Sequence, residues 1–373
     1  MPERGDERVL VLNARPLWVR MLFRALGRFV PTTGVVFNLV NGDAPLSEAE
    51  LEAAVGWELH TVDLPGRSFG RMAPLFAPWI RRRVELACGR PGITVFTQPT
   101  QRSLCRCFAH TRRIYYVADD YRWGYGWAPS VVESWEKVIV AQVEKVVCVS
   151  NALADSFHER LQVERKRLHV SASGLPARMI PESVEPIVET PEGDIFADRR
   201  PLAGVLGTID SRIRLDWLRA LIDALPWLNL LLVGPKAELE SSQLADWTYL
   251  NSHPRCVVVG EVEYYELFKY AAAIDIGLIP LSAEGINPGS SPTRFYTQLP
   301  FGKPIVASSS SRQLREFEPL VWIAETPQEF TQRVHELRCA NFDDGMAPRR
   351  HAAAYEHTWE RRAERLYREL MAG

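Results

Sequence analysis

The sequence predicts an α/β protein made of two doubly wound parallel-sheet domains, and three observations carry that prediction. Short apolar runs rich in Val, Ile and Leu alternate with amphipathic helical stretches almost throughout the 373 residues. The runs are continuous rather than alternating, which is how parallel strands covered on both faces read. The pattern also stops once and restarts: RMIPESVEPIVETPEGDIFADRRP, 178–201, holds four prolines and six acidic residues, a linker's composition.

In the first half the strands expected are VLVLN (9–13), GVVFNLV (34–40), ELHTV (58–62), ITVF (93–96), RIYYV (113–117) and KVVCVS (145–150). Helical patterns such as 16–29 and 130–145 lie between them. After the linker come LAGVLGT (202–208), LNLLLVG (228–234), CVVVG (256–260), DIGLIPL (275–281), PIVAS (304–308) and VWIA (321–324), each pair separated by a helical segment. Two Rossmann-like domains follow, 1–177 and 202–350, joined by 178–201. The segment 351–370 places Tyr355, Trp359, Ala363, Leu366 and Leu370 on one stripe at helical spacing, so a closing helix should pack on one of the two domains.

Composition bounds the function. With 46% hydrophobic and 24% charged residues in 42.3 kDa, the chain can build two sizeable cores, and disorder is excluded as a description of the whole. There is no run of 18 apolar residues, and the first residues pass from charged to strand without a signal peptide's apolar stretch, so a cytoplasmic protein is expected. The six cysteines are scattered and read as reduced thiols; Cys105-Arg-Cys107 has no second pair at zinc spacing, and no metal site is expected. Residues 1–167 carry 23 Lys+Arg against 18 Asp+Glu, a net +5, leaving 21 against 28, or −7, for the remainder. No nucleic-acid partner is expected.

Candidate sites lie where a strand runs into a polar loop. SSPTRFYTQLPFGKPIVAS, 290–308, predicts a short helix with Ser291 as N-cap and Pro292 at its first position, ended by Pro300 and Gly302. Its polar beginning, with Ser290, Ser291, Arg294 and Thr297, follows a strand and a glycine-rich loop, the layout of an anion site in an open α/β sheet. Alternatively it is a solvated helix with a surface arginine. In GVLGTIDSRIRLDW, 204–217, Gly207 lets a ligand approach the backbone and Arg212 can reach an anion, although a glycine after a strand also serves plain turn geometry. Neither half contains GxGxxG or GxxxxGK[ST], which argues against a dehydrogenase or a P-loop enzyme.

In IYYVADDYRWGYGWAP, 114–129, Asp119 and Asp120 end a strand before a loop bearing Tyr121, Trp123, Tyr125 and Trp127. A carboxylate among rings can serve as a general base, with Asp120 the candidate and Asp119 its neighbour, while flat rings such as Tyr121 and Trp123 suit sugar faces. Turn-capping aspartates beside core aromatics are the other reading. The stretch 67–90 combines Phe69, Met72, Leu75, Phe76 and Trp79 with Arg67, Arg71 and Arg81 to Arg83, the composition of a membrane-surface contact or of an ordinary amphipathic helix.

With these residues in place, the chain resembles nucleotide-sugar-dependent glycosyltransferases of the GT-B fold over nearly its whole length. LAGVLGT and LLLVGP, then VVVGEVEYYELFKYAAAIDIGLIPL and TRFYTQLPFGKPIVAS, carry most of the likeness, together with VVCVSNALADSF, HVSASGLP and the final ERRAERLYREL. Within the family, YYVADDY and SSPTRFYTQLPFGKP are most similar to the branch of the xanthan-type glucuronosyltransferase. The resemblance implies two domains facing a cleft, the first binding an acceptor and the second a nucleoside diphosphate sugar. It implies a metal-independent, inverting transfer with no cofactor, and a closing helix, 351–373, that packs back on the first domain. By the same resemblance Asp120 falls on the base, Arg294 on a donor-phosphate contact and Thr297 on a nucleotide contact. Many retaining relatives have Glu where Thr297 stands, and Pro300 is unusual. A glycan or lipid-linked acceptor is expected; a nucleotide-sugar 2-epimerase and a non-catalytic nucleotide-binding partner of another transferase are the alternatives.

Overall fold

The computed structural model describes residues 7–39, 57–66, 68–70, 72–184 and 196–371. The chain divides into two compact units, one formed by the residues up to Gly174 together with those from Trp359 on, the other by Leu175–Thr358. Of the segment expected as a linker, 185–195 lies outside the described residues.

Unit 1 is built on a seven-stranded sheet whose strands all run parallel. They are β1 (Val9–Leu12), β2 (Thr32–Leu39), β3 (Glu58–Leu64), β4 (Ile93–Phe96), β5 (Arg112–Val117), β6 (Lys145–Cys148) and β7 (Leu168–Val170), ordered β3-β2-β1-β4-β5-β6-β7. β1 and β4 are buried at every position, because helices cover both faces. Those helices are α1 (Leu17–Leu26), α2 (Ala73–Cys88), α3 (Arg102–Cys107), α4 (Pro129–Val140) and α5 (Asn151–Leu161). Ser150 caps α5, its hydroxyl accepting from the Leu153 amide at 3.0 Å. The strand β7 escapes the sequence pattern: three residues, none fully buried, carry no apolar run.

Unit 2 repeats the scheme with six parallel strands, β8 (Leu202–Leu206), β9 (Asn229–Val233), β10 (Cys256–Gly260), β11 (Ile276–Ile279), β12 (Ile305–Ser308) and β13 (Trp322–Ala324), ordered β10-β9-β8-β11-β12-β13. Its helices are α6 (Leu215–Ala224), α7 (Leu244–Ser252), α8 (Leu267–Ala273), α9 (Thr293–Gln298), α10 (Arg312–Arg315), α11 (Pro327–Cys339) and α12 (Ala347–Glu356); a further helix, α13 (Trp359–Met371), belongs to unit 1. The expected closing helix is therefore two helices. Between them the His357 carbonyl accepts from the Leu175 amide at 3.1 Å and Thr358 pairs with Leu175, which ends the first helix. Tyr355 consequently leaves the expected stripe and is 48% exposed, while Trp359, Ala363, Leu366 and Leu370 are buried in unit 1, where α13 packs on α1 and Tyr367 stacks on Phe29. Among the described residues no helix is long and apolar enough to cross a membrane.

Candidate donor and acceptor sites

In each sheet one pair of neighbouring strands sends its connections in opposite directions, and the loops beyond their carboxyl ends part there. In unit 2 that pair is β8 and β11. Gly207 follows β8 with φ +100°, and its amide donates to the Val233 carbonyl at 2.7 Å. Gly234 follows β9 with φ +139°, and a Cβ there would lie 2.4 Å from the Gly207 oxygen, so the two loops touch backbone to backbone only because residue 234 is glycine, while at 207 it is the positive φ that favours glycine.

Arg294 lies over this contact. A Cβ on Gly207 would stand 3.7 Å from Arg294 Cγ and Cζ. The guanidinium donates through Nη2 to the Thr208 carbonyl, while Nη1 is buried without a hydrogen-bond partner. Burial, and then the nearby charge of Arg212, pull the Arg294 pKa down to about 10 against the opposing pull of Asp210. A buried cationic N–H with no acceptor is costly, and an anion is the ligand that relieves it.

The other residues singled out from sequence are distributed as follows. Arg212 is half-exposed and forked onto Asp210, with Nε 2.9 Å from Oδ2, so its charge is already shared with a carboxylate. Its carbonyl accepts from the Ser282 amide at 2.7 Å and from Asn287 Nδ2 at 3.2 Å, which ties the loop after β8 to the loop after β11. Ser290 donates to the Asn287 carbonyl at 2.9 Å and shapes that loop. The helix α9 starts later than the sequence indicated: Pro292, not Ser291, occupies the N-cap position, with extended backbone and no side-chain cap. Thr297 is buried, and its hydroxyl donates to the Thr293 carbonyl of its own helix at 3.1 Å. Asn287, 2% exposed and bonded to both loops, is a positioning residue that the sequence reading missed.

In unit 1 the equivalent pair is β1 and β4, and Asp119 and Asp120 lie just beyond neighbouring β5. The Asp120 carboxylate receives Arg122 Nε at 2.8 Å, the Arg122 Nη2, and the Arg122 amide at 3.3 Å. Asp119 accepts from the Tyr125 hydroxyl at 2.7 Å. Tyr121 is buried, its hydroxyl donating to the Thr97 carbonyl at 2.6 Å, and so braces the loop from below. Trp123 is 42% exposed. A ladder of rings continues outward from Tyr121: Tyr125 at 5.0 Å, Trp127 stacked on Tyr125 at 5.9 Å, Trp135 edge-on to Trp127 at 5.5 Å, and Arg102 over Trp135 at 4.4 Å.

Beneath the loop sits a carboxylate that the sequence reading passed over. Glu136 is 1% exposed, and burial raises its pKa to about 7, opposed chiefly by Arg160, whose Nη2 is 3.6 Å away. Its place in SVVESWEKVIV, four residues after buried Val132 and three before buried Ile139, was the signal for it. All six cysteines are free; burial pushes the Cys105 thiol up to about 12, which makes it inert. Among the described residues no group of three or more His, Cys, Asp or Glu side chains could hold a metal.

No family model matches the sequence. TuaH of Bacillus subtilis (strain 168), provisionally described as a teichuronic acid biosynthesis glycosyltransferase, is 21% identical over 245 residues, 65% of this chain. The chain spans 59% of that relative's length. Solved structures superpose over far more. HepE of Anabaena, in complex with UDP and glucose, matches with TM-score 0.71 at 14% identity, over 98% of this chain and 100% of the other. Sucrose-phosphate synthase of Thermosynechococcus elongatus matches with TM-score 0.70 at 13% identity, over 98% and 99%. A glycosyltransferase of Rickettsia africae matches with TM-score 0.70 at 12% identity, over 99% and 100%. The chain has the GT-B fold. In the second unit of this GT-B chain, the loop after β8 carries Gly207, and the unpartnered Nη1 of Arg294 comes from α9, which follows the loop after β11.

Proposed function

We propose that the chain is a glycosyltransferase that moves a sugar from a UDP-sugar to an acceptor hydroxyl in polysaccharide or glycan biosynthesis. The observation that carries this reading is the buried Arg294 guanidinium over the Gly207–Gly234 contact, with one N–H group lacking an acceptor. That N–H suits an oxygen of a diphosphate, and glycine leaves room for it to approach the backbone. HepE complexes with UDP and with UDP-glucose, and the naming of TuaH for teichuronic acid, support the same class of donor and product.

In this proposal unit 2 holds the donor and unit 1 the acceptor. The acceptor oxygen forms a bond to the anomeric carbon as the bond from that carbon to the β-phosphate oxygen breaks. UDP leaves carrying the negative charge, which Arg294 stabilises more strongly in the transition state than in the ground state. Cationic side chains supply that stabilisation, so no metal enters the scheme. The acceptor proton passes to Asp120, and the anomeric configuration inverts. Asp120 is forked onto Arg122, so Arg122 has to yield part of this ion pair for the carboxylate to act as a base. Trp123, exposed beside it, offers a flat face to the acceptor sugar.

The test is titration calorimetry with UDP and UDP-glucose on the wild type and on Arg294→Ala. Binding that the substitution weakens at least tenfold supports the reading. Equal UDP affinity in the two proteins, or no binding of any nucleoside diphosphate, removes it.

A further inference from the structure

The helix α2 buries one face and exposes the other. Ala73, Ala77, Ile80, Val84 and Cys88 point into unit 1. Opposite them, Leu75, Trp79 and Leu86 are 71%, 40% and 77% exposed, and Met72, just before the helix, is 51% exposed. Leu75, Trp79, Arg82 and Leu86 follow one another at intervals of four, three and four residues, so they form one stripe along the helix. Four large apolar side chains gathered on one exposed helix face are more than the scattered surface leucines that need no explanation.

The exposed charges of α2 itself and of Arg90 just after it are of one sign. Arg82, Arg83 and Arg90 are exposed beside it, with Arg83 lying over the Trp79 ring at 5.2 Å. Glu85 is the helix's single acidic residue, and it is already engaged by Arg81 at 2.9 Å and His110 at 3.2 Å. Among the described residues neither Arg82 nor Arg83 has a carboxylate partner. Arg67 and Arg71, which the sequence grouped with this stretch, lie outside the described residues.

We propose that this face of α2 docks on an anionic phospholipid surface, with Leu75, Trp79 and Leu86 entering the headgroup boundary and Arg82, Arg83 and Arg90 contacting lipid phosphates. An apolar stripe flanked by arginines is the arrangement that lies flat in a bilayer interface, with Trp at headgroup depth and arginine stems lying along the apolar surface. Charge decides between lipid and a protein partner. A cationic rim whose one carboxylate on the helix, Glu85, is already engaged matches a surface uniformly negative, and the net +5 of residues 1–167 has the same sign.

The test is co-sedimentation of the full chain with phosphatidylcholine vesicles containing about a third phosphatidylglycerol, against pure phosphatidylcholine vesicles. Binding should be at least tenfold tighter to the anionic vesicles and should weaken as salt is raised. Arg82→Gln combined with Arg83→Gln should weaken it about thirtyfold, the effect of removing two surface charges. Leu75→Ser combined with Trp79→Ser should reduce it further, with the melting temperature of the free protein unchanged. The proposal fails if the wild type ignores anionic vesicles, if it binds both vesicle types equally, or if neither variant differs from wild type. It also fails if light scattering shows a dimer that Trp79→Ser converts to monomer, since the face would then be a contact between copies. Vesicle binding needs no nucleotide, so its failure leaves the UDP titration untouched.

Discussion

Replacing Arg294 by Met should raise the stability of the unliganded protein while abolishing its response to UDP. The buried guanidinium has its pKa lowered to about 10, with burial the largest cause. At pH 7 it is charged in both folded and unfolded chains, and the depression corresponds to about 3 kcal/mol of destabilisation of the folded state. Because the folded pKa is the lower one, this penalty is constant below pH 10 and fades only as pH rises through the interval between the two values. Met keeps most of the side-chain volume and removes the charge, but it leaves the Thr208 carbonyl without its donor, a loss of about 1 kcal/mol. The net gain is about 2 kcal/mol. For a unit the size of Leu175–Thr358 this raises the transition of unit 2 by roughly 4–8 °C. Calorimetric scans with and without UDP measure both effects, since ligand at 100 times its Kd stabilises wild type by about 2.7 kcal/mol. A variant that melts lower than wild type and still shifts with UDP would refute the claim that Arg294 is an uncompensated cation awaiting an anion.

Asp120→Asn should lower kcat by about a hundredfold or more with acceptor binding little changed, read by release of UDP from UDP-glucose in the presence of acceptor; retention of a tenth of the wild-type rate would exclude Asp120 as the base. Thr297→Val should change UDP affinity by less than about threefold, because the hydroxyl is bonded within its own helix, and a tenfold loss would show that it contacts the nucleotide. Glu136→Gln should flatten the pH dependence of unit 1 stability. Its folded pKa of about 7 lies above the usual 4.5, so the wild type binds the proton more tightly when folded and loses stability as pH rises between these values, by about 3 kcal/mol in all. Denaturant unfolding at pH 5 and pH 8 measures the difference, and equal slopes in the two proteins would refute it.

The parallel sheets were legible because burial on both faces leaves a continuous run of Val, Ile and Leu, as at Val9–Leu12, Ile93–Phe96 and Ile276–Ile279. The failures have equally local causes. Leu168–Val170 is a short, half-exposed edge strand and writes no such run. The break between Glu356 and Trp359 was invisible because helical periodicity continues across it, and only the pairing of Leu175 with His357 and Thr358, 182 and more positions away in sequence, interrupts the helix. Ser291 looked like a cap from its residue type, yet the conformation of Pro292 sets the start of α9.

At the sites, sequence identified residue types but not which of their bonds were already made. Arg212 and Arg294 read alike as anion contacts, yet one is forked onto Asp210 and the other is buried with a free N–H, and only the second gains a full partner from a ligand. The same distinction separates Thr297, whose hydroxyl is committed to its helix, from Trp123, whose ring remains exposed. What a ligand can add is set by what the fold has left unmade. By that measure the proposed diphosphate contact of unit 2 rests on one guanidinium, which lies beside Gly207, where a Cβ would stand 3.7 Å from it.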